Sequence, residues 1–220
     1  MTRRLDFTAR RLCVILDSAS RGPERSLSVA EKVLEAGCRF IQVREKSMID
    51  RDRLMLLRQV AERAKKLDAW VVMNDRVDLA ILAGADGIHL GQDDITMADA
   101  RKLIAGRLSA AFVVGQSVDS KDEALLAQSN GADYLGCGAV FTTGTKEDAV
   151  EIGLERLAAI CNSIAIPVFA IGGISVENVG DVLSAGSLGV AVCSAIMNAS
   201  DPARATRDFI AAISSAPYKE

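Results

Sequence analysis

The sequence contains little histidine, little tryptophan and few aromatic residues of any kind. Of its 220 residues, one is histidine and one is tryptophan, and aromatic residues make up 4%. Half of the residues are hydrophobic, so the core must be built mainly from Ala, Val, Ile and Leu. An aliphatic core together with 17 glycines favours an α/β protein, in which helices cover buried parallel strands.

The chain also lacks an excess of positive charge. It has 26 Lys and Arg against 29 Asp and Glu, which gives a net charge of −3. Proteins that hold nucleic acid or an anionic membrane through their charges need a basic excess. We therefore expect neither partner, and we expect small molecules as ligands.

No pair of the five cysteines is spaced as CxxC, and one histidine cannot complete a typical zinc site. A structural zinc site is therefore not expected. An odd number of cysteines in a chain of this length indicates reduced thiols and predicts a cytoplasmic location. The cysteines are Cys13, Cys38, Cys137, Cys161 and Cys193.

Two uncharged stretches, 157–176 and 182–200, are long enough for a membrane span. The first is interrupted by Pro167, and the second by Gly186 and Gly189. Such interruptions are typical of buried strands that alternate with loops and helices. We therefore predict that neither stretch crosses a membrane.

A weak internal repeat runs through the chain. Four glycines, Gly37, Gly84, Gly131 and Gly186, each follow a helical pattern and precede a short apolar strand. They are 47, 47 and 55 residues apart. Glycine just after a helix accommodates the left-handed backbone that often occurs there. The period fits two βα units, so a second strand is expected in each repeat.

Apolar runs of strand length occur at the expected intermediate positions, namely 70–73, 111–115 and 168–171, and 12–16 supplies one more at the start of the chain. Apolar residues at helical spacing predict a helix over 52–66. Eight βα units in 220 residues predict a single-domain (β/α)8 TIM barrel. The alternative, an open doubly wound sheet, gives no reason for a fourfold repeat.

Charged residues follow several predicted strands, at the end of a barrel where active sites lie. The cations are Arg44, Lys46 and Lys146, and the carboxylates are Asp75 and Asp94. Carboxylates suit Mg²⁺, which usually keeps several waters and bridges substrate phosphates. Cations and Mg²⁺ together predict a polyanionic ligand such as a diphosphate.

A second anion site is predicted after strands seven and eight. Gly172 and Gly173 follow the seventh strand, and Cys193 and Ser194 follow the eighth. Many barrels bind phosphate at this place through backbone N–H groups. The run 142–146 (TTGTK) adds hydroxyl groups and a cation.

The single histidine, His89, lies at a predicted strand end. A role in packing or hydrogen bonding and a role in catalysis both remain open. No nucleophile system of the Ser-His-Asp or Cys-His type can be assembled around it. The sequence also has no P-loop and no dinucleotide-binding fingerprint.

The ordered set of motifs resembles the thiamine-phosphate synthase family, over residues 12–197. The motifs are QVREK (42–46), NDRVDLA (74–80), GADGIHLGQDD (84–94), GADYLGCGAVFTTGTK (131–146), PVFAIGGI (167–174) and GVAVCSAI (189–196). The resemblance implies a TIM-barrel transferase of thiamine biosynthesis. It implies Mg²⁺-dependent condensation of 4-amino-2-methyl-5-hydroxymethylpyrimidine diphosphate with 4-methyl-5-(2-hydroxyethyl)thiazole phosphate. The products would be thiamine phosphate and diphosphate, formed by dissociative displacement at the pyrimidine methylene.

The resemblance also implies a role for individual residues. Asp75 and Asp94 match Mg²⁺ ligands of the family. The pyrimidine diphosphate would contact Gln42, Arg44, Lys46, Asn74, Ser117 and Lys146. The thiazole phosphate would contact Thr143, Thr145, Gly173, Cys193 and Ser194. Arg44, Lys46 and Lys146 would act in catalysis by neutralising the leaving diphosphate.

Three positions depart from the family pattern: Asp119 replaces a frequent His, Ala139 a frequent Pro, and Cys193 a frequent Val or Ile. One alternative is a thiazole tautomerase or a regulatory phosphate-binding relative on the same barrel; Asp119 argues against the tautomerase. Another is a Schiff-base aldolase that uses Lys146, although acidic neighbours at 147 and 148 would keep that lysine charged. A homo-oligomer remains open.

Overall fold

Within the described residues, 6–18, 22–105, 112–144 and 150–216, eight parallel strands of the computed structural model close into a barrel. Each strand pairs with the next along the chain, and β8 returns to β1 with Cys13 opposite Ala191. The strands are β1 (Leu12–Leu16), β2 (Phe40–Val43), β3 (Trp70–Asn74), β4 (Gly87–Leu90), β5 (Val113–Val118), β6 (Tyr134–Cys137), β7 (Val168–Ile171) and β8 (Gly189–Val192). The predicted TIM barrel is confirmed, and the open sheet is excluded.

Helices alternate with the strands around the outside of the barrel. A short 3-10 helix, Thr8–Arg10, precedes β1. The α-helices are α1 (Pro23–Glu35), α2 (Asp50–Lys65), α3 (Val77–Ala83), α4 (Met97–Ile104), α5 (Lys121–Ser129), α6 (Gly153–Cys161), α7 (Val179–Ser184), α8 (Ser194–Met197) and α9 (Pro202–Ser215). Each α-helix of the described part of the chain is too short or too polar to cross a membrane.

The four repeat glycines have the predicted backbone conformation. Gly37, Gly84, Gly131 and Gly186 have φ values of 105°, 67°, 88° and 106°. Each follows a helix and leads within a few residues into the next strand. The left-handed conformation explains why glycine recurs at this place in the repeat.

The predicted fifth strand, 111–115, was placed too early. The structure has it at Val113–Val118, and residue 111 lies outside the described part. Its ladder continues through polar residues, because Gln116 pairs with Leu135 and Ser117 pairs with Gly136. The apolar pattern ends early because the end of the strand borders a polar cavity rather than the core.

The interior of the barrel holds most of the chain's few aromatic side chains. Five of the nine (six Phe, two Tyr and one Trp) form one cluster, namely Phe7, Phe40, Trp70, Tyr134 and Phe169. The ring of Phe7 packs 5.0 Å from Trp70 and 5.5 Å from Tyr134. Aliphatic residues fill the layer between strands and helices. The aromatic cluster gives the barrel a rigid floor, and ligand space lies above it.

Candidate functional site

A cavity of about 340 Å³ opens at the carboxyl ends of the strands. It is lined by the predicted site residues that the structure describes, namely Gln42, Arg44, Lys46, Asn74, Asp75, Asp94, Ser117, Thr143, Gly173, Cys193 and Ser194. Thr145 and Lys146 lie outside the described residues. The barrel thus brings together side chains from across the sequence, while their individual roles stay predictions. The volume is within the usual range of small-ligand sites.

One side of the cavity carries the charged wall, which we define as Arg44, Lys46, Asp75 and Asp94. Arg44 and Lys46 follow β2, Asp75 follows β3 and Asp94 follows β4. The Lys46 ammonium lies 3.6 Å from a carboxylate oxygen of Asp75. Arg44 is ion-paired with Asp17, at the end of β1, and both side chains are largely buried.

The two carboxylates of the charged wall are held by short local contacts. Asp75 has a φ of 65°, which is unusual for a residue other than glycine. Its N–H donates to the His89 carbonyl oxygen at 2.9 Å, and the Asn74 side-chain amide donates to its carboxylate. The Asp94 carboxylate accepts the Gly91 N–H at 2.6 Å. Unusual backbone that is fixed in this way is common at functional sites.

The same two carboxylates are close enough to perturb each other. Burial raises the pKa of Asp94, and a hydrogen bond with Asp75 and the negative charge of Asp75 raise that pKa further. A bound cation would relieve this repulsion. No group of three or more His, Cys, Asp or Glu converges as a metal site within the described ranges. Two adjacent carboxylates are a donor set that suits Mg²⁺, which is commonly held by one or two carboxylates, waters and substrate phosphates.

The loop that carries Lys46 is fixed by an arginine that the sequence analysis did not single out. The Arg53 guanidinium donates to the carbonyl oxygens of Glu45 at 2.9 Å, Lys46 at 3.3 Å and Met48 at 2.6 Å. Its remaining contact is an ion pair with Asp50 at 3.0 Å. Arg53 stands in the first turns of α2, where sequence gives no sign that it faces back toward the loop.

Glu45 is a second residue that the sequence did not identify as part of the site. It is 2% exposed, and its carboxylate accepts hydrogen bonds from the Ser18 N–H at 3.1 Å, the Ser18 hydroxyl at 2.8 Å and the Ser26 hydroxyl. Burial raises the pKa of Glu45. It ties the segment after β1 to the end of β2, between the two cations of the charged wall.

The opposite side of the cavity carries the backbone wall, which we define as Gly138, Gly172, Gly173, Cys193 and Ser194. Gly173 has a φ of 62°, and a Cβ there would lie 2.7 Å from the Phe141 Cβ and from the Thr142 carbonyl oxygen. These glycines let the loop after β6 lie against the end of β7. The loop is joined there by the Phe141 N–H, which donates to the Gly172 oxygen at 3.1 Å.

His89 stands on β4 beside the charged wall, where its carbonyl oxygen accepts the Asp75 N–H. The residue is 7% exposed, and its ring makes two hydrogen bonds, with Nδ1 3.0 Å from the Tyr134 hydroxyl and Nε2 3.0 Å from the Ser117 hydroxyl. Burial lowers the pKa of His89 to about 4, against a smaller opposing effect of the Asp94 charge. The ring is therefore neutral at pH 7 and takes the hydrogen-bonding role that the sequence left open. The role of Tyr134 could not be predicted, because it begins an apolar strand and that pattern does not indicate a hydrogen bond to His89.

Comparison with known proteins identifies related chains over almost the whole length. The family model for thiamine monophosphate synthase matches residues 12–196. A thiamine-phosphate synthase of Methanospirillum hungatei is 41% identical over 184 residues, 83% of this chain and 87% of that protein. A thiamine-phosphate synthase of a Synechococcus species is 40% identical over 201 residues, 91% of this chain. The present chain spans only 56% of the length of that relative.

A solved structure gives the same match in three dimensions. Thiamine phosphate pyrophosphorylase from Pyrococcus furiosus superposes with a TM-score of 0.85 at 36% sequence identity. The superposition covers 94% of this chain and 96% of that one. Fold and family resemblance therefore extend over the same barrel.

Proposed function

Because the chain belongs to the thiamine monophosphate synthase family, we propose that it makes thiamine phosphate. The substrates would be 4-amino-2-methyl-5-hydroxymethylpyrimidine diphosphate and 4-methyl-5-(2-hydroxyethyl)thiazole phosphate, and the second product diphosphate. The observation that carries this proposal is the charged wall, where Lys46 lies 3.6 Å from Asp75 inside a cavity of small-ligand size. Cations beside a carboxylate pair suit a diphosphate with a divalent metal ion.

Binding of the diphosphate is assigned to Arg44, Lys46 and Lys146. Arg44 is held by Asp17, and Lys46 stands on the loop that Arg53 fixes, so the Arg44 guanidinium and the loop that carries Lys46 are in place before the substrate binds. Preorganised charges stabilise the negative charge that grows on a leaving group more than water does. Lys146 keeps its assignment from the family resemblance alone.

Asp75 and Asp94 would hold Mg²⁺. When bound, the ion would neutralise charge on the diphosphate oxygens. The support for Mg²⁺ binding is the chemistry of the donor set, namely two adjacent carboxylates, of which Asp94 has a raised pKa. Mg²⁺ dependence is part of the proposal and is tested below.

In the proposed reaction, the bond between the pyrimidine methylene and the diphosphate oxygen breaks, and its electron pair leaves with the diphosphate. The amino-pyrimidine delocalises the positive charge that remains on the methylene. The thiazole ring nitrogen then donates its electron pair to that carbon. Gln42, Asn74 and Ser117 would orient the pyrimidine, while Thr143, Thr145 and the residues Gly173, Cys193 and Ser194 would hold the thiazole phosphate. Holding both substrates in line supplies rate through proximity.

This scheme needs no protein nucleophile. Two thiols line the cavity, Cys13 on β1 and Cys193 after β8, and burial raises the pKa of both, that of Cys193 to about 12. A thiol with that pKa stays protonated at neutral pH and is a poor nucleophile. The proposed contact of Cys193 with phosphate is through the backbone.

The proposal is tested by incubating the purified chain with both substrates, with MgCl₂ or with a chelator, and by measuring thiamine phosphate and diphosphate. We expect equal amounts of both products, formed only with the metal. Lys46→Ala should lower kcat roughly tenfold, because a charged hydrogen bond to the leaving group is lost. Lys102→Ala is the matched control, since Lys102 is also exposed and also pairs with an aspartate, but on α4. A chain that makes no product under any of these conditions would contradict the proposal.

Two other outcomes would favour the alternatives. Binding of thiazole phosphate without any product would favour a regulatory phosphate binder or a tautomerase. A borohydride-reduced adduct on Lys146, detected by mass spectrometry after incubation with a carbonyl substrate, would favour the aldolase. We expect neither.

We further propose that the chain works in the cytoplasm on small molecules. All five cysteines are free thiols in the structure, which supports a reducing compartment. The net charge of −3 leaves no basic excess to hold nucleic acid. A homo-oligomer remains a hypothesis, for which light scattering of the purified chain is the direct test.

A further inference from the structure

Three side chains on neighbouring strands form a hydrogen-bonded chain that ends at the cavity. Tyr134 stands on β6, Ser117 on β5 and His89 on β4. Both contacts of the imidazole, to the Tyr134 hydroxyl and to the Ser117 hydroxyl, measure 3.0 Å. All three residues border the cavity; Ser117 is half-buried, whereas Tyr134 is 2% exposed and His89 7%.

Two glycines leave room for this arrangement. A Cβ at Gly115 would lie 2.1 Å from the Tyr134 ring and 2.6 Å from Nδ1 of His89. A Cβ at Gly136 would lie 3.0 Å from Cε1 of the same imidazole. The two glycines therefore leave space for the histidine and tyrosine rings, which a side chain at either position would occupy.

The direction of each hydrogen bond follows from the burial of the tyrosine. Among the described residues, Nδ1 of His89 is the hydrogen-bond partner of the Tyr134 hydroxyl, at 3.0 Å. A buried hydroxyl that donated to nothing would cost free energy, so Tyr134 is the donor. Nδ1 then has no proton, and the proton of a neutral ring must be on Nε2. Nε2–H therefore donates to the Ser117 oxygen.

We propose that His89 is a positioning residue that orients the Ser117 hydroxyl toward the substrate. Because the Ser117 oxygen already accepts from Nε2–H, its own hydrogen is free to be donated, and the cavity is the open side. The acceptor would be an atom of the pyrimidine diphosphate, an identification that rests on the proposed function. The backbone of Ser117 is held as well, since the Gln92 amide donates to its carbonyl oxygen at 2.5 Å.

The tautomer can be measured without any substrate. His89 is the single histidine of the chain, so a tag-free protein labelled with ¹⁵N-histidine gives one set of imidazole signals. We expect the Nε2–H tautomer at neutral pH, retained in Ser117→Ala and mixed with the Nδ1–H form in Tyr134→Phe. An Nδ1–H ring or a doubly protonated ring in the unmodified protein would overturn the inference, whatever reaction the chain catalyses.

Kinetics of thiamine phosphate formation tests the positioning role. His89→Leu should lower kcat about tenfold, with a smaller change in KM for the pyrimidine diphosphate, because one orienting hydrogen bond is lost. His89→Gln, whose amide can reach the Nε2 position, should recover most of that loss. In a Ser117→Ala background, His89→Leu should have little further effect on kcat.

An undiminished effect of His89→Leu in the Ser117→Ala background would show that the histidine acts by another route and would overturn the inference. Ser129→Ala is the control for removal of a hydroxyl, since Ser129 bonds only to a helix carbonyl on α5. Should the buried leucine prevent folding, Tyr134→Phe is the second variant. It should lower kcat a few-fold, and unchanged kcat together with an unchanged tautomer would also overturn the inference.

Discussion

The charged wall presents side-chain charges to the cavity, whereas the backbone wall presents glycines and main-chain groups. Lys46 on the charged wall is 61% exposed and reaches into the cavity on a flexible stem. Gly173 on the backbone wall is confined by two atoms at 2.7 Å from where its Cβ would be. The first wall can lose a charge and keep its shape, whereas the glycines of the second cannot gain a side chain without moving the chain. Substitutions on the charged wall should therefore lower the rate, whereas substitutions on the backbone wall should weaken substrate binding or lower stability.

The largest effect is expected on the charged wall for Asp75→Asn. Asparagine keeps the size of the side chain and tolerates the left-handed φ of 65° at this position, so the fold should be preserved. The free energy of activation should rise by about 3 kcal/mol, which lowers turnover on the order of a hundredfold. This magnitude is taken by analogy with the loss of one group that stabilises a developing charge. Steady-state kinetics over a range of Mg²⁺ concentrations should also show a higher metal requirement.

The matched control for this prediction is Asp78→Asn. Asp78 is a nearby carboxylate that pairs with Arg76 on the outside, at 2.6 Å. Its removal should leave turnover and metal requirement unchanged. An Asp75→Asn protein with the original Mg²⁺ dependence would remove Asp75 from the proposed metal site.

The next largest effect is expected on the backbone wall, for Gly173→Ala. The methyl group would meet Phe141 and Thr142 at 2.7 Å, at a φ of 62°, so the loop after β6 must move. We expect a loss of unfolding free energy of about 2 kcal/mol, from backbone strain and overpacking, and a raised KM for the thiazole phosphate. Chemical denaturation and steady-state kinetics measure the two effects.

Gly84→Ala separates strain from contact. Gly84 has a φ of 67°, close to that of Gly173, but nothing lies within 4 Å of its Cβ position. It should lose about 1 kcal/mol of unfolding free energy from strain alone and keep its KM values. Equal losses of unfolding free energy in Gly84→Ala and Gly173→Ala, with no change in KM for Gly173→Ala, would contradict this prediction. They would mean that the close contacts of Gly173 with Phe141 and Thr142 do not shape the backbone wall.

The sequence predicted the barrel and most of the charged wall for one physical reason. Strands β1 and β7 were predicted to the residue, because buried parallel strands are short continuous apolar runs. The polar residues that follow the strands, among them Lys46 after β2, Asp75 after β3 and Asp94 after β4, could then be grouped without any coordinates. The fifth strand was misplaced where polar Ser117 continues the ladder.

The supports of the site could not be predicted. The supporting contacts are made by Arg53, Glu45 and Tyr134. Some of them join segments that are distant in sequence, and the others involve residues whose local sequence pattern is that of an ordinary helix or strand. Glu45 bonds to serines 27 and 19 residues away, and no periodicity encodes such a pairing. Sequence reasoning therefore identified groups that face the cavity better than groups that hold them.

A smaller effect on the charged wall is expected for Arg53→Lys. Lysine keeps the charge but cannot reach three carbonyl oxygens as the planar guanidinium does, so the loop that carries Lys46 should loosen. We expect kcat to fall a few-fold, equivalent to about 1 kcal/mol, with little change in KM for the thiazole phosphate. Arg51→Lys, at an 81% exposed position on the same helix, should have no effect. A change confined to the KM for the thiazole phosphate would contradict the proposal that Arg53 supports the charged wall.

The smallest effect is expected from Glu45, the buried carboxylate beneath the charged wall, and it is a dependence of stability on pH. Burial raises the pKa of Glu45 above its ordinary value of 4.5, although hydrogen bonds from Ser18 and Ser26 oppose the shift. A raised folded-state pKa means that the folded protein binds the proton more tightly than the unfolded chain. The contribution is therefore fully present below pH 4.5 and is lost as pH rises through the folded-state pKa. The slope is a fraction of the roughly 1.4 kcal/mol per pH unit that one full proton gives.

Denaturation of the unmodified protein and of Glu45→Gln at several pH values above 4.5 should show a flatter profile for the variant. Parallel profiles would mean that Glu45 keeps its charge at no cost in free energy, and that the charged wall rests on an ordinary ionised carboxylate.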